Sequence, residues 1–151
     1  MKRLVLMVFV SIASGCAVRA YQGDVRSSSE VAIVHYDFRY YGFITRRVNV
    51  VSVDGEELSR FGRFKLELLP GIHTLAVRYR QYNFGFVRES KTPCWITFSA
   101  RAGREYYINS ETVKDRVVVW LEDKETGERT TCFSKQPGET AFSHCRTNHF
   151  G

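Results

Sequence analysis

In Phe64-Lys65-Leu66-Glu67-Leu68, and again in His73-Thr74-Leu75-Ala76-Val77-Arg78-Tyr79-Arg80, apolar and polar residues alternate almost one for one, with Pro70-Gly71 between the two runs. A period of two is the pattern of a half-buried strand, because successive side chains point to opposite faces. A helix would need apolar residues three and four apart. The alternation also fixes register. In the second run His73, Leu75, Val77 and Tyr79 share one face, and a slip of one residue would carry Arg78 and Arg80 into the core.

The same grammar continues along the chain. Arg47-Val48-Asn49-Val50-Val51-Ser52-Val53 reads as a strand ending at the turn dipeptide Asp54-Gly55. After a looser aromatic stretch from Tyr82 to Thr92, Trp95-Ile96-Thr97-Phe98-Ser99 reads as a strand, Ala102-Gly103 as a turn, and Glu105-Tyr106-Tyr107-Ile108-Asn109 as its antiparallel partner. Arg116 to Leu121 reads as a central strand that returns through Thr126-Gly127 to Arg129-Thr130-Thr131-Cys132-Phe133. Short strands separated by turn signals every eight to twelve residues or so predict an all-β fold. Composition agrees, since 44% hydrophobic and 14% aromatic residues supply a core that a disordered chain lacks. We expect a small antiparallel β-sandwich forming one domain over residues 31–133, with a loop-like tail over 134–151.

The N-terminus has a different character. Lys2 and Arg3 precede an apolar run from Leu4 to Val10 and the small residues Ala13, Ser14 and Gly15. This is the layout of a secretory signal peptide over residues 1–15, and the run is too short to remain as a membrane span. The segment Ala13-Ser14-Gly15-Cys16 resembles a bacterial lipobox, with Ala13 where such motifs usually carry Leu. The resemblance implies acylation of Cys16, and two or more acyl chains anchor a protein stably. Ala17 stands where an Asp would resemble an inner-membrane retention signal, which points to the outer membrane, periplasmic side. The alternative is ordinary cleavage after Ala20, giving a soluble periplasmic protein. Residues 16–30, ending in Arg26-Ser27-Ser28-Ser29-Glu30, read as a lipidated cysteine and flexible tether. Loss of residues 1–15 removes Lys2 and Arg3 and no acid, leaving 20 basic against 16 acidic residues, a net +4. The arginines are scattered among acids and aromatics rather than clustered, which argues against a nucleic-acid partner. Weak attraction to anionic headgroups or polysaccharide fits the same charge.

Val53-Asp54-Gly55, Leu68-Leu69-Pro70-Gly71-Ile72-His73-Thr74-Leu75 and Ala102-Gly103-Arg104-Glu105-Tyr106-Tyr107-Ile108 together resemble PEGA-type domains and related bacterial lipoproteins, over roughly residues 47–133. The resemblance implies a transthyretin-like or prealbumin-like β-sandwich. It brings no catalytic residue set, and implies an envelope protein or accessory binding module.

The residues that could carry chemistry are few. His73 follows Pro-Gly at a strand start, where it can tie down the preceding turn. Cys132, His144, Cys145 and His149 could be drawn as a metal site, but they lack the close ligand pairs of structural zinc, and we expect no metal and no cofactor. In an oxidising envelope, Cys132 with Cys145 would staple the tail to the last strand at a gain of roughly 3 kcal/mol. Cys94 with Cys132 is the rival pair. Two aromatic clusters, Tyr36, Phe38, Tyr40, Tyr41 and Phe43, and Tyr79, Tyr82, Phe84 and Phe86, exceed what two short strands need for packing. Tyr36, Phe38, Tyr40, Tyr82 and Phe84 are the candidate binding aromatics, since exposed rings serve sugars and protein interfaces alike. No nucleophile elbow, phosphate loop or zinc helix occurs, and Asp54, Glu56, Glu122 and Asp123 read as solvated turn carboxylates. The expectation is a non-enzymatic, lipid-anchored binding or structural module. A carbohydrate or peptidoglycan binder using the aromatics is the alternative, and an undetected hydrolase the third reading.

Overall fold

The computed structural model describes residues 17–36, 38–41, 44–58, 65–83, 86–113, 116–133 and 146–147. They form thirteen strands and no helix: β1 (Val18–Arg19), β2 (Ala32–Tyr36), β3 (Phe38–Tyr41), β4 (Ile44–Val53), β5 (Glu56–Glu57), β6 (Lys65–Leu68), β7 (Gly71–Asn83), β8 (Phe86–Glu89), β9 (Cys94–Ala100), β10 (Glu105–Val113), β11 (Arg116–Asp123), β12 (Arg129–Phe133) and β13 (Arg146–Thr147). One sheet has seven strands in the order β1-β6-β2-β10-β11-β12-β13. The other has six, β3-β4-β7-β8, with β5 added to β4 and β9 to β7. The sheets are curled, an arrangement consistent with a β-sandwich.

The alternating runs place their apolar residues inward as the pattern demands. Leu66 and Leu68 of β6, Leu75 and Val77 of β7, and Ile96 of β9 are buried together with Val34, Val48, Ile108 and Val119 in one cluster drawn from both sheets. Each such leucine is worth roughly 1.5–3 kcal/mol of transfer free energy. Asp54 (φ 51°) and Gly55 (φ 86°) both lie in the left-handed region. Two positive φ values in a two-residue loop are what a tight hairpin turn requires, and this one pairs β4 with β5.

Three features depart from the sequence reading. Tyr82 to Thr92 is not a loose stretch, for β7 runs to Asn83 and pairs back with β8. Strands β9 and β10 are not partners either: β9 pairs with β7, while β10 pairs with β2 and β11. The Ala102-Gly103 turn thus carries the chain from one sheet to the other, a crossing that turn chemistry alone does not distinguish from a hairpin. Finally, the seven-stranded sheet is mixed rather than antiparallel, because β1 pairs with β6 and β2 with β10 in parallel.

Residues 17–30 are not a tether. Val18 and Ala20 pack against the core, Val18 sits in register with Leu66, and the Ala20 N–H donates to Glu67 O at 3.0 Å. Farther on, Ser27 N–H and Ser27 Oγ both donate to Glu30 Oε2 (2.9 and 2.7 Å), and Glu30 N–H donates to Ser27 O. A Ser-x-x-Glu box satisfies its own backbone, so this run of small polar residues closes a turn.

The pairings give the body two unlike ends. At one, the turn end, lie the connections 54–55, 69–70, 101–104 and 124–128. At the other, the hairpin end, lie the connections β3–β4, β7–β8 and β10–β11, with Tyr41 opposite Ile44, Asn83 opposite Phe86 and Val113 opposite Arg116. Strands β1 and β6 lie toward the turn end, since Val18 is level with Leu66, Val34, Tyr106 and Asp123.

Candidate functional site

The residues singled out in the sequence are not gathered in one place. Cys16, Phe43, Phe84, His144, Cys145 and His149 lie outside the described residues, as do the side chains of Phe38, Tyr40 and Tyr41. Tyr36 (9% exposed) and Tyr79 (5%) are core residues, so neither can be a stacking platform. Their parity with Val34 and Val77 carries them inward. Cys94 and Cys132 are both buried, and Cys94 is a free thiol, so the Cys94–Cys132 bridge is not formed. Among the described residues no three His, Cys, Asp or Glu side chains converge as a metal site. Tyr82 and Phe86 remain exposed.

His73 acts at the turn end. Its Nε2 lies 2.8 Å from Leu69 O and its Nδ1 2.6 Å from Asp54 Oδ2. Leu69 O can only accept, so Nε2 carries a proton in this geometry, and a protonated Nδ1 donates to Asp54. Asp54 Oδ1 also accepts the Thr74 N–H at 2.7 Å. Burial works against the Asp54 carboxylate, but the hydrogen bonds from Thr74 and His73 outweigh it and hold its pKa below the usual carboxylate value. The cluster ties the β4–β5 turn to the start of β7. Asp123 performs a similar task and is buried rather than solvated: its Oδ1 accepts the N–H groups of Glu125 and Thr126 at 2.8 and 3.1 Å, with Arg104 Nη1 3.5 Å away.

The outer face of the six-stranded sheet holds the clearest candidate surface. Along β7 it carries Ile72, Thr74, Ala76, Arg78, Arg80 and Tyr82. Arg47 and Asn49 of β4 are the cross-strand neighbours of Arg80 and Arg78, and Trp95 of β9 is the neighbour of Ala76. Trp95 is 43% exposed and Ile72 77%. Arg80 is engaged: its Nη2 donates to Glu89 Oε2 at 2.6 Å and its Nη1 to Tyr82 O–H at 3.0 Å, bonds that raise its pKa further. Arg78 has a buried Nε with no hydrogen-bond partner. Trp95 and Ile72 were not among the sequence candidates, yet the signal was present. In Cys94-Trp95-Ile96-Thr97-Phe98-Ser99 the tryptophan has the parity of Thr97 and Ser99 and therefore points out.

The outer face of the seven-stranded sheet is polar and largely self-satisfied. His35 stacks on Tyr107 at 4.7 Å with Glu105 Oε2 3.8 Å from its Nε2. Lys124 Nζ and Tyr107 O–H both donate to Glu105 Oε2. Burial lowers the His35 pKa, Glu105 opposes it, and Lys65 and Lys124 reinforce it. Beyond Tyr107, Trp120 Nε1 and Arg129 Nε both donate to Glu122 Oε2. A cleft of about 250 Å³ opens between β9 and β12, lined by Phe98, Arg101, Tyr106, Asp123 and Glu128 among others. The Tyr106 hydroxyl within it accepts from Arg101 N–H and donates to Ser99 O, and Asp123 caps its own turn, so the cleft's polar groups hold the fold.

Among the described residues these contacts brace the fold. Trp95, Ile72 and Arg78 share the outward parity of one sheet, with Arg78 Nε lacking a hydrogen-bond partner. Comparison with protein-family models, curated proteins and solved structures gives no match to this chain.

Proposed function

We propose that the chain is a lipid-anchored protein of the bacterial outer membrane that acts by binding, without catalysis, through the outer face of its six-stranded sheet. One observation carries the choice of face: Trp95 and Ile72 are exposed on the same outward-facing side as Arg78, on a sheet whose other side lines the core. Aromatic residues and arginine are the side chains that interfaces concentrate. The PEGA-like, transthyretin-like reading belongs to the same proposal. It is supported by the positive φ of Asp54, Gly55, Gly71 and Gly103 within the three motifs that carry it.

In-cell photo-cross-linking from position 95 tests this. The expected result is a discrete envelope adduct that Arg78→Ala removes, with no matching adduct from position 120 on the opposite sheet. Identical adducts from both positions would refute the choice of face. A glycan ligand is the second reading, favoured by the flat Trp95 ring beside the small Ala76. Saturable binding to purified sacculi, weakened about tenfold by Trp95→Ala (~1.4 kcal/mol), supports it; no binding of the mature chain rejects it.

A further inference from the structure

Among the described residues β9 pairs with β7 alone, so one of its two edges is open. The register shows which main-chain groups face that edge. Thr74 of β7 donates its N–H to Asp54 Oδ1 and accepts the Asp54 N–H at its carbonyl, so both groups point toward β4. Its cross-strand partner on the other side is Thr97. In an antiparallel pair that exchanges no hydrogen bonds, the two residues turn their main-chain groups away from each other. The N–H and C=O of Thr97 therefore point out of the sheet, and by alternation so do those of Trp95 and Ser99. The Tyr106 hydroxyl, which donates to Ser99 O from the other sheet, agrees. Apart from that bond, no hydrogen bond from the described residues reaches these groups.

An open edge is a template for pairing, and folded proteins blunt theirs with charges, prolines or bulges. The seven residues Cys94–Ala100 include no charge and no proline, and they pair with β7 without a register shift. Trp95, Thr97 and Ser99 are also exposed. Beside the edge lies the cleft of about 250 Å³, lined by Thr97, Phe98 and Ser99 of β9 and by Thr130 of β12. Strand β13 pairs with β12 and not with β9.

Charge selects the occupant. Lys91 precedes β9 and Arg101 follows it, both exposed and neither in an ion pair among the described residues. Of the acids lining the cleft, Asp123 is engaged with its own turn and with Arg104, which leaves Glu128. A second copy of this chain, paired antiparallel about Thr97, would bring its Pro93 opposite Arg101, two residues from its Lys91. Cations would then crowd both ends of the pairing, and like charges across a ladder destabilise it.

We propose that β9 is a docking edge to which an extended segment of a partner protein adds as a strand, with apolar side chains over Phe98 and the cleft and carboxylates at its ends near Lys91 and Arg101. Main-chain bonds would supply affinity and the alternate side chains specificity. The proposal rests on the outer face as the binding surface and names its partner, because an added strand continues that face past Trp95.

The test adds a synthetic peptide of alternating valine and threonine, with glutamate at each end, to the isotope-labelled full chain. Amides of Trp95, Thr97 and Ser99 should exchange about tenfold more slowly with the peptide bound, while those of Ile96 and Phe98, which face β7, are unchanged. The same peptide with lysine ends should bind about tenfold more weakly. Thr97→Pro removes an outward N–H and leaves the β7 ladder whole, so it should abolish the slowing at an unchanged melting temperature; Ser99→Pro serves if the first variant is unstable. No binding, binding without slowing at those amides, or equal binding of the lysine-ended peptide overturns the proposal. Slowing that appears with protein concentration and no peptide assigns the edge to a second copy and also overturns it. A position-95 adduct in cells that survives Thr97→Pro overturns strand addition and leaves the face standing. Slowing by the peptide together with identical adducts from positions 95 and 120 removes the face and leaves the edge.

Discussion

At the turn end the connections are short and their polar groups have partners: Asp54 holds His73 and Thr74, Asp123 caps residues 125–126, and Arg104 Nη1 reaches Glu125 Oε2 at 2.6 Å. At the hairpin end the strands run past the core, and Phe86, Val87 and Val113 are left in solvent. Both ends are made from the same kind of strand, and the difference is what the terminal residues are asked to do. One end is closed by internal hydrogen bonds, which contribute to stability and leave nothing over for a ligand. Among the described residues, the other keeps apolar surface exposed.

That contrast can be broken by experiment. Leu68→Ala, at the turn-end limit of β6, should cost about 2–5 kcal/mol through the cavity it leaves, read as a drop in denaturation midpoint. Asp123→Ala should cost about 1–3 kcal/mol, because it leaves the part-buried N–H groups of Glu125 and Thr126 without their acceptor. A loss no larger than that of a surface change would mean the turn end is not braced as described. Asp54→Asn should cost less, and only above the acid range: a carboxylate whose folded pKa is depressed stabilises above its unfolded value of about 3.9 and loses that contribution as pH falls through the folded pKa. Stability of wild type and variant measured at neutral and strongly acidic pH should therefore converge in acid. For His35 the unfolded chain binds the proton more tightly, so acidification below about pH 6.5 favours unfolding; His35→Gln should flatten that slope. Phe86→Asp should change stability by less than about 0.5 kcal/mol, and a large loss would move Phe86 into the fold.

The strands were legible where alternation was strict. Leu66, Leu68, Leu75 and Val77 point inward as their spacing requires, and β11 and β12 pair through the turn that Thr126-Gly127 marks. Partners were not legible, because pairing of β2 with β10 or of β9 with β7 is decided by packing between distant segments. Ala102-Gly103 looks the same whether the chain doubles back within a sheet or crosses to the other. Residues 17–30 misled for a different reason: small polar residues signal a linker by composition, but Ser27 and Glu30 are spaced to bond one another. The candidate surface was half visible. Parity alone identifies Trp95 as outward and Tyr36 and Tyr79 as inward, whereas counting aromatics treats them alike.

The parallel register of β2 with β10, Ile33 beside Glu105 and Tyr36 beside Ile108, sets an order of assembly. A chain synthesised from its N-terminus presents β2 long before β10 exists, so until the later strand arrives β2 has only β6 to pair with, and one edge of an apolar strand stays open. Closure across so long a separation in sequence is slow. Ala32, Val34 and Tyr36 are then the segment most exposed to mispairing before the chain is complete, and a chain ending before Glu105 would remain aggregation-prone however well its first strands form.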